Sequence, residues 1–485
     1  MLLKTGKWMS VMLLFFTVGM AIFAQGQLAL PSVFGDGMVM QRQTDAPVWG
    51  WAASDTEVRI TGSWLPNDTV VVRTGGEGVW ETTIRTAEAG GPYTLTVINK
   101  TDVKEFHGVM LGEVWLCSGQ SNMQWSALRG IVNQEAEIAA ANYPDIRIFH
   151  TPRRIARTPQ NDCDASWTPC TPQTMSQTSA VSYFFARRLH TALRIPVGLI
   201  VSAWGGTGYE VWTKRELIEN NPMLQADVPK IQSPWVPVKP GLTYNQMIHP
   251  VIPFAIAGVI WYQGSNNVDH YATYGLGLQT MINGWRSEFR KEFPFYLVQI
   301  APCRDEADTT GNMSACLREQ QEFVSRLVPK TAMVVISDLV DDITDVHPRD
   351  KQNVGLRLAN LALAETYGQP LKNYRSPLFR EMRVENGKAI ISFDYAEAGL
   401  MCTGTHIEGL KIAGADRQYV DAEGIIEGDK LIVFSPKIKT PAAVMFCFDN
   451  DTMGNLFSGG GLPVAPFRTD RIISFFNQIN TNRHE

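Results

Sequence analysis

Residues 112–123 read GEVWLCSGQSNM, a short apolar run that leads into a polar turn containing glycine. The run from Glu113 to Cys117 predicts a buried strand, because an apolar segment of this length bounded by turn residues is typical of a parallel sheet. The turn places Ser121 just beyond the carboxyl end of that strand. Ligands of open α/β sheets bind at this edge, so we expect Ser121 to lie at a functional site.

Strands and amphipathic segments alternate from this point onward. The other predicted strands are 146–149, 197–203, 257–262, 295–300 and 333–337, and the predicted helices are 183–193, 274–289, 317–327 and 353–367. This alternation indicates an α/β fold with a central parallel sheet and helices on both faces.

Short apolar runs separated by Gly, Pro and Asp precede and follow the α/β region, which is the pattern of antiparallel β structure. We therefore expect an N-terminal β-sandwich-like domain over residues 25–110. The α/β domain then covers residues 111–375, and a C-terminal β domain covers residues 376–485.

The first 24 residues have the composition of a secretory signal. Lys4 and Lys7 precede a nearly continuous apolar run over residues 9–23, and Ala24 ends it. Because the run is shorter than the ~20 residues of a membrane-spanning helix, we expect cleavage near Gln25 and no stable membrane span afterwards. The protein is then secreted or periplasmic.

Export places the seven cysteines in an oxidising compartment, where disulfides form. An odd number leaves at least one thiol unpaired, and Cys117 in the buried strand is the candidate. Nearness in the chain or a shared domain indicates three pairs: Cys163 with Cys170, Cys303 with Cys316, and Cys402 with Cys447.

The overall charge argues against one class of partner. The chain of 485 residues is 45% hydrophobic and 19% charged, with a formal net charge of −5. Proteins that follow the phosphate backbone carry a basic excess, so nucleic acid is not expected as a partner.

A serine nucleophile needs a base that removes its proton. His347, in the sequence Asp345-Val346-His347-Pro348, follows the last predicted strand and so falls at the same edge as Ser121. Asp345, Asp342 or Asp338 are the candidate carboxylates to orient the imidazole, and a dyad without any of them also remains open.

His249 is the rival base, but it precedes the strand predicted at 257–262 and so belongs to the opposite edge of the sheet.

Two further turns follow predicted strands and carry hydrogen-bond donors. Residues 204–210 read WGGTGYE and residues 263–267 read QGSNN. Glycine N–H groups and an Asn amide in such turns form an oxyanion hole when they converge. Neither turn has the spacing of a phosphate-binding loop, and no H-E-x-x-H or C-x-x-C pattern occurs, so we expect no metal and no organic cofactor.

Five ordered motifs resemble one family, the sialate O-acetylesterases of the SGNH (GDSL-like) hydrolase superfamily. The matching segments are 112–123 with its SGQSNM core, Trp204 to Thr207, Met247 to Pro250, Gly258 to Gly264, and Asp345 to Pro348 with Lys351 and residues 354–359. The resemblance covers the mature chain and implies an SGNH-type, flavodoxin-like arrangement of the α/β domain.

The resemblance also implies residue roles: Ser121 as nucleophile, His347 as base, and an oxyanion hole formed by the N–H of Ser121 with Gly206 and Asn267. At two positions the chain differs from the family. Where relatives read Gly-Glu-Ser-Asn this chain reads Gly-Ser-Asn-Asn over 264–267, so the donor is Asn266 or Asn267. The superfamily aspartate, three residues before the histidine, is replaced by Thr344, which leaves Asp345 as the nearest acid.

The expected function is that of an exported serine esterase that removes O-acetyl groups from sialic acids through an acetyl-enzyme. An acetylxylan or other polysaccharide deacetylase is the alternative, since the same groups serve both substrates. A non-catalytic glycan-binding protein is the alternative from another class. In each case the partner is O-acetylated sialic acid or another acetylated glycan.

Overall fold

The computed structural model describes residues 26–228 and 233–470, so the predicted signal at 1–24 lies outside the described residues. The N-terminal region consists of short strands: β1 (Val39–Gln41), β2 (Asp45–Trp51), β3 (Glu57–Gly62), β4 (Thr69–Arg73), β5 (Val79–Arg85) and β6 (Gly90–Asn99). β2 pairs antiparallel with β5, and β3 pairs antiparallel with β4 and β6. Alternate residues of β3 are buried, as the two-residue period of a half-exposed strand requires.

Strand β7 (Asp102–Gly119) joins the N-terminal region to the centre of the molecule. Its first part pairs antiparallel with β6, and its last part is the middle strand of the central sheet. Every residue from Val109 to Gly119 is buried, which agrees with the apolar run that predicted a strand there. The strand runs through the predicted domain boundary at 110/111.

The α/β region continues from the end of β7. Its elements are α1 (Ser121–Gln124), α2 (Gln134–Ala139), β8 (Tyr143–His150), β9 (Trp167–Cys170), α3 (Pro172–Gln177), α4 (Ala180–Leu193), β10 (Val197–Ala203), α5 (Arg215–Glu219), α6 (Pro222–Asp227), β11 (Gly258–Tyr262), α7 (Tyr271–Glu288), β12 (Phe295–Val298), α8 (Met313–Leu327), β13 (Thr331–Val334) and α9 (Lys351–Glu365). The strand order is β13-β12-β11-β7-β10-β8-β9. All neighbours are parallel except β9, which is antiparallel to β8.

Helices cover both faces of this sheet, as the sequence predicted. Val114 and Leu116 of β7 pack in one core cluster with residues of α7 and α8. Trp115 and Cys117, which point to the other face, pack in a second cluster with residues of α4 and α9. The alternation along β7 thus divides the core into two apolar layers.

The C-terminal region is again antiparallel. Its strands are β14 (Leu378–Glu385), β15 (Lys388–Asp394), β16 (Leu400–Cys402), β17 (Leu410–Ala413), β18 (Tyr419–Asp421), β19 (Glu423–Glu427), β20 (Lys430–Phe434), β21 (Ala443–Phe446), β22 (Leu456–Ser458) and β23 (Phe467–Arg468). They form sheets β14-β15-β20-β19, β18-β17-β21-β23 and β16-β22 around a separate core. Arg468 contacts Glu319 of α8 through two hydrogen bonds of 3.0 and 2.8 Å, which fixes this region against the α/β region.

The predicted disulfides are wrong, because all seven cysteines are free. Cys163 packs in the core cluster that reaches the N-terminal region, whereas Cys170, at the end of β9, packs in the cluster on the opposite face of the central sheet. Nearness in the chain therefore does not bring the two sulfurs together. The pairs Cys303 with Cys316 and Cys402 with Cys447 are likewise not formed. Cys117 is buried, and burial raises the pKa of its thiol to about 12.

Within the described residues, no helix combines the length and the apolar character needed to cross a membrane.

Candidate active site

The serine at 121 is presented by a tight turn at the end of β7. Gly119 has a φ of +140°, and a β-carbon at this position would lie 2.2 Å from the carbonyl oxygen of Tyr262. Only glycine therefore fits where β7 and β11 end side by side. The Gln120 N–H donates to the same Tyr262 oxygen at 3.0 Å, and α1 then begins at Ser121.

The side chain of Gln120 connects this turn to the turn after β11. Its Oε1 accepts from the backbone N–H groups of Gly264 at 3.1 Å and Asn266 at 3.3 Å. The two turns that the sequence placed at the carboxyl edge of the sheet are thus held together by one buried amide.

His347 contacts Ser121 directly. The imidazole Nε2 lies 2.9 Å from the Ser121 Oγ, and Nδ1 lies 3.0 Å from the Oδ1 of Asp345. The same Asp345 oxygen accepts from the His347 backbone N–H at 2.9 Å. This backbone bond turns the carboxylate back toward the ring, which is how an acid only two residues before the histidine reaches its side chain.

The other two candidate acids are engaged elsewhere. The Oδ1 of Asp342 accepts from the Thr344 backbone N–H at 2.9 Å and from its hydroxyl at 2.7 Å. Asp338 makes a bidentate pair with Arg357, with distances of 2.7 and 2.5 Å. Of the three carboxylates, the structure brings Asp345 alone to the imidazole.

Among the described residues, His249 contacts Gln160 and Tyr244 and makes no hydrogen bond to Ser121. Its Nδ1 is 2.8 Å from the carbonyl oxygen of Gln160, and its ring meets that of Tyr244 edge to face. The carbonyl oxygen of Met247, two residues earlier, accepts from the Ser202 hydroxyl near the carboxyl end of β10 at 3.1 Å, so the expected position of this segment at the opposite sheet edge is not confirmed.

The imidazole of His347 is packed against an indole. The Trp125 ring stacks on it with centroids 4.4 Å apart and planes inclined by 24°. Burial lowers the pKa of His347 below its usual 6.5, Asp345 opposes this effect, and the positive charges of Lys351 and Arg129 add to it. The ring is therefore neutral at pH 7, the form that accepts a proton from a hydroxyl.

A fully buried lysine lies behind the pair. Lys351 Nζ donates to the Oδ1 of Asn122 at 2.5 Å, and the Nδ2 of Asn122 donates to the carbonyl oxygen of Val346 at 2.9 Å. The ammonium also lies over the rings of Trp125 and Tyr262, 5.5 and 5.7 Å from their centroids. Burial lowers the pKa of Lys351 to about 7.

The turn after β10 lies against the serine. A β-carbon on Gly205 would be 3.1 Å from the Cβ of Ser121, and the Gly205 N–H donates to the Oε1 of Gln124 at 2.7 Å. Gly206 follows with a φ of +75°. Within the part of the chain that the structure describes, its N–H has no acceptor. The N–H of Ser121 opens α1 and has no acceptor inside that helix.

Asn267 is buried and Asn266 is exposed, which distinguishes the two candidate amides. The Oδ1 of Asn267 accepts from the Nε2 of Gln263 at 2.7 Å, and its Nδ2 donates to the Oε1 of Glu210 at 2.7 Å. One hydrogen of the amide remains for a ligand. A β-carbon on Gly208 would lie 3.1 and 3.2 Å from the two amide heteroatoms, so this side chain adjoins the 204–210 turn.

Glu210 is a buried carboxylate that the sequence interpretation did not single out. Among the described residues its Oε2 has no hydrogen-bond partner, and burial raises its pKa to about 7. The signal for it was an acid inside the apolar run Tyr-Glu-Val-Trp over 209–212. The role of Asn122 was also missed, and Lys351 entered only through the resemblance, because their roles depend on contacts between distant segments.

Metal-ligating side chains do not converge in the described ranges 26–228 and 233–470, where no group of three or more His, Cys, Asp or Glu residues is placed to hold an ion. The aspartates at 338, 341, 342 and 345 are divided among Arg357, Arg349, Thr344 and His347.

Comparisons with known proteins agree on one family. The family model of carbohydrate esterases described as sialic acid-specific acetylesterases matches residues 111–364. The sialate O-acetylesterases of Pongo abelii and Homo sapiens are each 30% identical over 400 residues, which cover 75% of this chain and 76% of theirs.

A solved structure supports the same assignment. The carbohydrate acetylesterase from Xanthomonas citri has 34% sequence identity and a TM-score of 0.83, and the match covers 91% of this chain and 99% of that one. The family resemblance expected from the motifs is confirmed: this chain belongs to the sialic acid-specific acetylesterase family of carbohydrate esterases.

Proposed function

We propose that the chain is an exported serine esterase that removes O-acetyl groups from sialic acids through an acetyl-enzyme. The observation that carries the proposal is the continuous hydrogen-bonded series from the Ser121 Oγ through His347 to Asp345, with steps of 2.9 and 3.0 Å. This is the geometry in which a serine hydroxyl is activated as a nucleophile.

In the first half-reaction the Ser121 Oγ attacks the acetyl carbonyl carbon while its proton passes to the Nε2 of His347. The carbonyl π electrons move to oxygen, and the N–H groups of Ser121 and Gly206 with the free amide hydrogen of Asn267 stabilise that oxyanion. When the intermediate collapses, the sugar oxygen leaves and takes the proton from Nε2. The acetyl group is then esterified to Ser121.

In the second half-reaction the neutral imidazole of His347 removes a proton from water, and the resulting nucleophile attacks the acetyl carbon. Collapse releases acetate and returns the proton to the Ser121 oxygen. Asp345 holds the Nδ1 proton in place and stabilises the imidazolium that exists in both halves. The cycle uses side chains and backbone donors of this chain.

The strand order supports a finer statement about the fold. Without the two strands at one edge, β8 and β9, the order is β10-β7-β11-β12-β13. In order along the chain this is 2-1-3-4-5, the order of flavodoxin-like sheets. We include in the proposal that the α/β region has the SGNH-type, flavodoxin-like arrangement.

A second candidate is a deacetylase of other carbohydrates, such as acetylxylan. The structural relative from Xanthomonas citri favours it, because that protein is described as a carbohydrate acetylesterase without restriction to sialic acid. The same groups at the site would serve either substrate.

The test is acetate release by the purified protein from O-acetylated sialic acid and from acetylated xylan, with Ser121→Ala as the control. Faster release from the sialic acid supports the first proposal, and the reverse order supports the second. An acetyl group trapped on Ser121 and found by mass spectrometry supports the covalent step. If p-nitrophenyl acetate is also not hydrolysed, the esterase proposal is wrong and a glycan-binding role replaces it.

Export is proposed from residues 1–24 and has a separate test. N-terminal sequencing of the protein recovered from outside the cytoplasm should begin near Gln25. An intact Met1 would contradict cleavage.

A further inference from the structure

One tryptophan is left in solvent in the segment beside the turn that contains Gly206. Trp235 is 87% exposed, more than any other large hydrophobic side chain in the described ranges. Tryptophan is on average a highly buried residue, because burial of its side chain removes about 150–250 Å² of surface from water. Within the part of the chain that the structure describes, its indole ring has no aromatic or cationic partner. A ring so exposed is available to a ligand.

The residue after Trp235 shows where this segment lies. A β-carbon on Gly206 would lie 3.3 Å from the Cγ1 of Val236, so the segment that carries Trp235 packs on the turn that contains Gly206. That same turn contacts Ser121 through Gly205. Trp235 is therefore next in sequence to a residue that packs on the turn containing Gly205 and Gly206, which we call the oxyanion turn.

A second exposed apolar stretch lies near the segment that carries His347. Leu128 and Val132, which follow the helix of the nucleophile, are 61% and 44% exposed. The Val132 N–H donates to the carbonyl oxygen of Arg349 at 3.2 Å, so this stretch adjoins the segment that carries His347. Exposed apolar side chains thus lie beside both the oxyanion turn and the histidine.

The chemistry of the ligand follows from the substrate class. A pyranose ring has hydroxyl groups at its edge and an apolar face formed by C–H groups, and an exposed indole offers a flat surface that matches that face. A fixed aromatic ring loses little conformational entropy on binding, since its side chain has only two rotatable angles. A small aliphatic acetate ester, which has no ring to stack, cannot use such a surface.

We propose that Trp235 is a stacking platform for a pyranose ring of the acetylated glycan and that it distinguishes sugar esters from simple acetate esters. The inference rests on the esterase function proposed above. It assigns a sugar subsite outside the catalytic groups, on the side of the oxyanion turn.

The experiment compares Trp235→Ala and Trp235→Phe with the wild-type full chain on two substrates. One is ethyl acetate, an ester without a ring whose cleavage is followed by acetate release. The other is whichever of O-acetylated sialic acid, O-acetylated sialyllactose and acetylated xylan the wild type cleaves fastest. Met401→Ala is the matched control, because Met401 is a half-exposed apolar side chain on β16 in the C-terminal region.

The expected result for Trp235→Ala is a rise in KM for the sugar ester of about 5- to 10-fold, with kcat/KM for ethyl acetate within about 2-fold of wild type. Trp235→Phe should recover most of the loss, and Met401→Ala should match wild type. Equal loss on both substrates would show that Trp235 supports the turn and not the sugar, and an unchanged KM would also overturn the inference.

Failure of the proposed function gives a different result. In that case the wild type cleaves none of the sugar esters, and calorimetric titration of wild type and Trp235→Ala with the deacetylated sugars decides the inference. Binding that is lost in the variant supports a sugar subsite, and binding that is equal in both proteins, or absent from both, refutes it.

Discussion

Lys351 should set the lower pH limit of activity through its charge. Its ammonium lies 5.5 Å from the centre of the Trp125 ring, and the His347 ring lies 4.4 Å from the same centre. The two groups are therefore no more than about 10 Å apart, where unit charges interact by about 1.7 kcal/mol at an effective dielectric constant of about 20. The half-buried imidazole is partly screened by water, so only part of this energy acts to lower its pKa.

The sign follows from the form of His347 that reacts. The base must be neutral, and a nearby positive charge disfavours the imidazolium, so Lys351 lowers the pKa of His347. The pKa of Lys351 is about 7, above that of His347, so the lysine is charged across the acid limb. Asp345, Asp341 and Asp350 favour the charged lysine, and Arg129 acts on His347 in the same direction as Lys351.

The assay is the pH dependence of kcat/KM for p-nitrophenyl acetate with Lys351→Met. The acid limb should move upward by about 0.5 to 1 pH unit, because removal of the charge lets His347 hold its proton to higher pH. Lys351→Arg is the control, since it keeps a positive charge at this position while it alters the hydrogen bond of 2.5 Å to Asn122. It should lower the rate at all pH values without moving the limb. A Lys351→Met profile with the wild-type midpoint would refute the electrostatic role and leave only the support of Asn122.

Three further predictions concern individual groups. Asp345→Asn should lower kcat/KM by at least about 100-fold, because the His347 tautomer with a proton on Nδ1 and the imidazolium both lose their stabilising carboxylate. Asp342→Asn should be nearly neutral. Steady-state kinetics checks both variants, and a neutral Asp345→Asn would indicate a dyad of Ser121 and His347. His347→Ala should abolish most turnover while His249→Ala stays within about 2-fold of wild type, and the reverse order would exchange the two assignments. Because burial raises the pKa of Glu210 to about 7 from 4.5, the folded state retains a proton that the unfolded chain releases, and the wild type loses up to about 3 kcal/mol of stability as pH rises through that interval. Glu210→Gln should remove this loss, so parallel curves of Tm against pH for the two proteins would contradict the burial of a carboxylate with a raised pKa.

Elements whose residues are all buried could be predicted from the sequence. The strand predicted at 197–203 has the same bounds in the structure, because all seven of its residues are buried and their apolar character alone defines it. The strand predicted at 333–337 is displaced to Thr331–Val334, since β13 takes its register from β12, with Thr331 opposite Phe295. That register is a property of two strands and cannot be taken from one of them.

Short polar elements were harder to predict. α3 was missed although Thr171 and Pro172 give a helix N-cap and a first-turn proline, because six residues with two buried side chains carry little periodicity. The antiparallel strand β9 was missed for the same reason, being four residues long with two exposed or half-exposed positions.

At the site, Ser121 and His347 could be proposed because each follows a predicted strand, and parallel strands bring their carboxyl ends to one edge. Asp345 could not be chosen over Asp342 and Asp338 from the sequence. Its contact with the imidazole depends on one backbone hydrogen bond from His347, which residue spacing does not predict. The burial of Lys351 depends on how α9 packs against the helix of the nucleophile. Trp235 could not be recognised at all, because exposure is defined only once the rest of the chain is folded.

Asp345 raises the pKa of His347 and Lys351 lowers it. Both effects can serve the reaction because the two groups lie at different distances from the imidazole. The carboxylate contacts Nδ1 at 3.0 Å, whereas the ammonium lies up to about 10 Å away beyond the Trp125 ring. Coulomb energy falls with distance, so the carboxylate interaction is roughly three times the stronger per unit charge at equal dielectric constant. Burial of His347 and the positive charge of Lys351 keep the imidazole neutral before the reaction. Asp345 stabilises the charge that appears on the ring during the reaction. The same ring can therefore accept a proton from Ser121 and then from water without being charged in the resting enzyme.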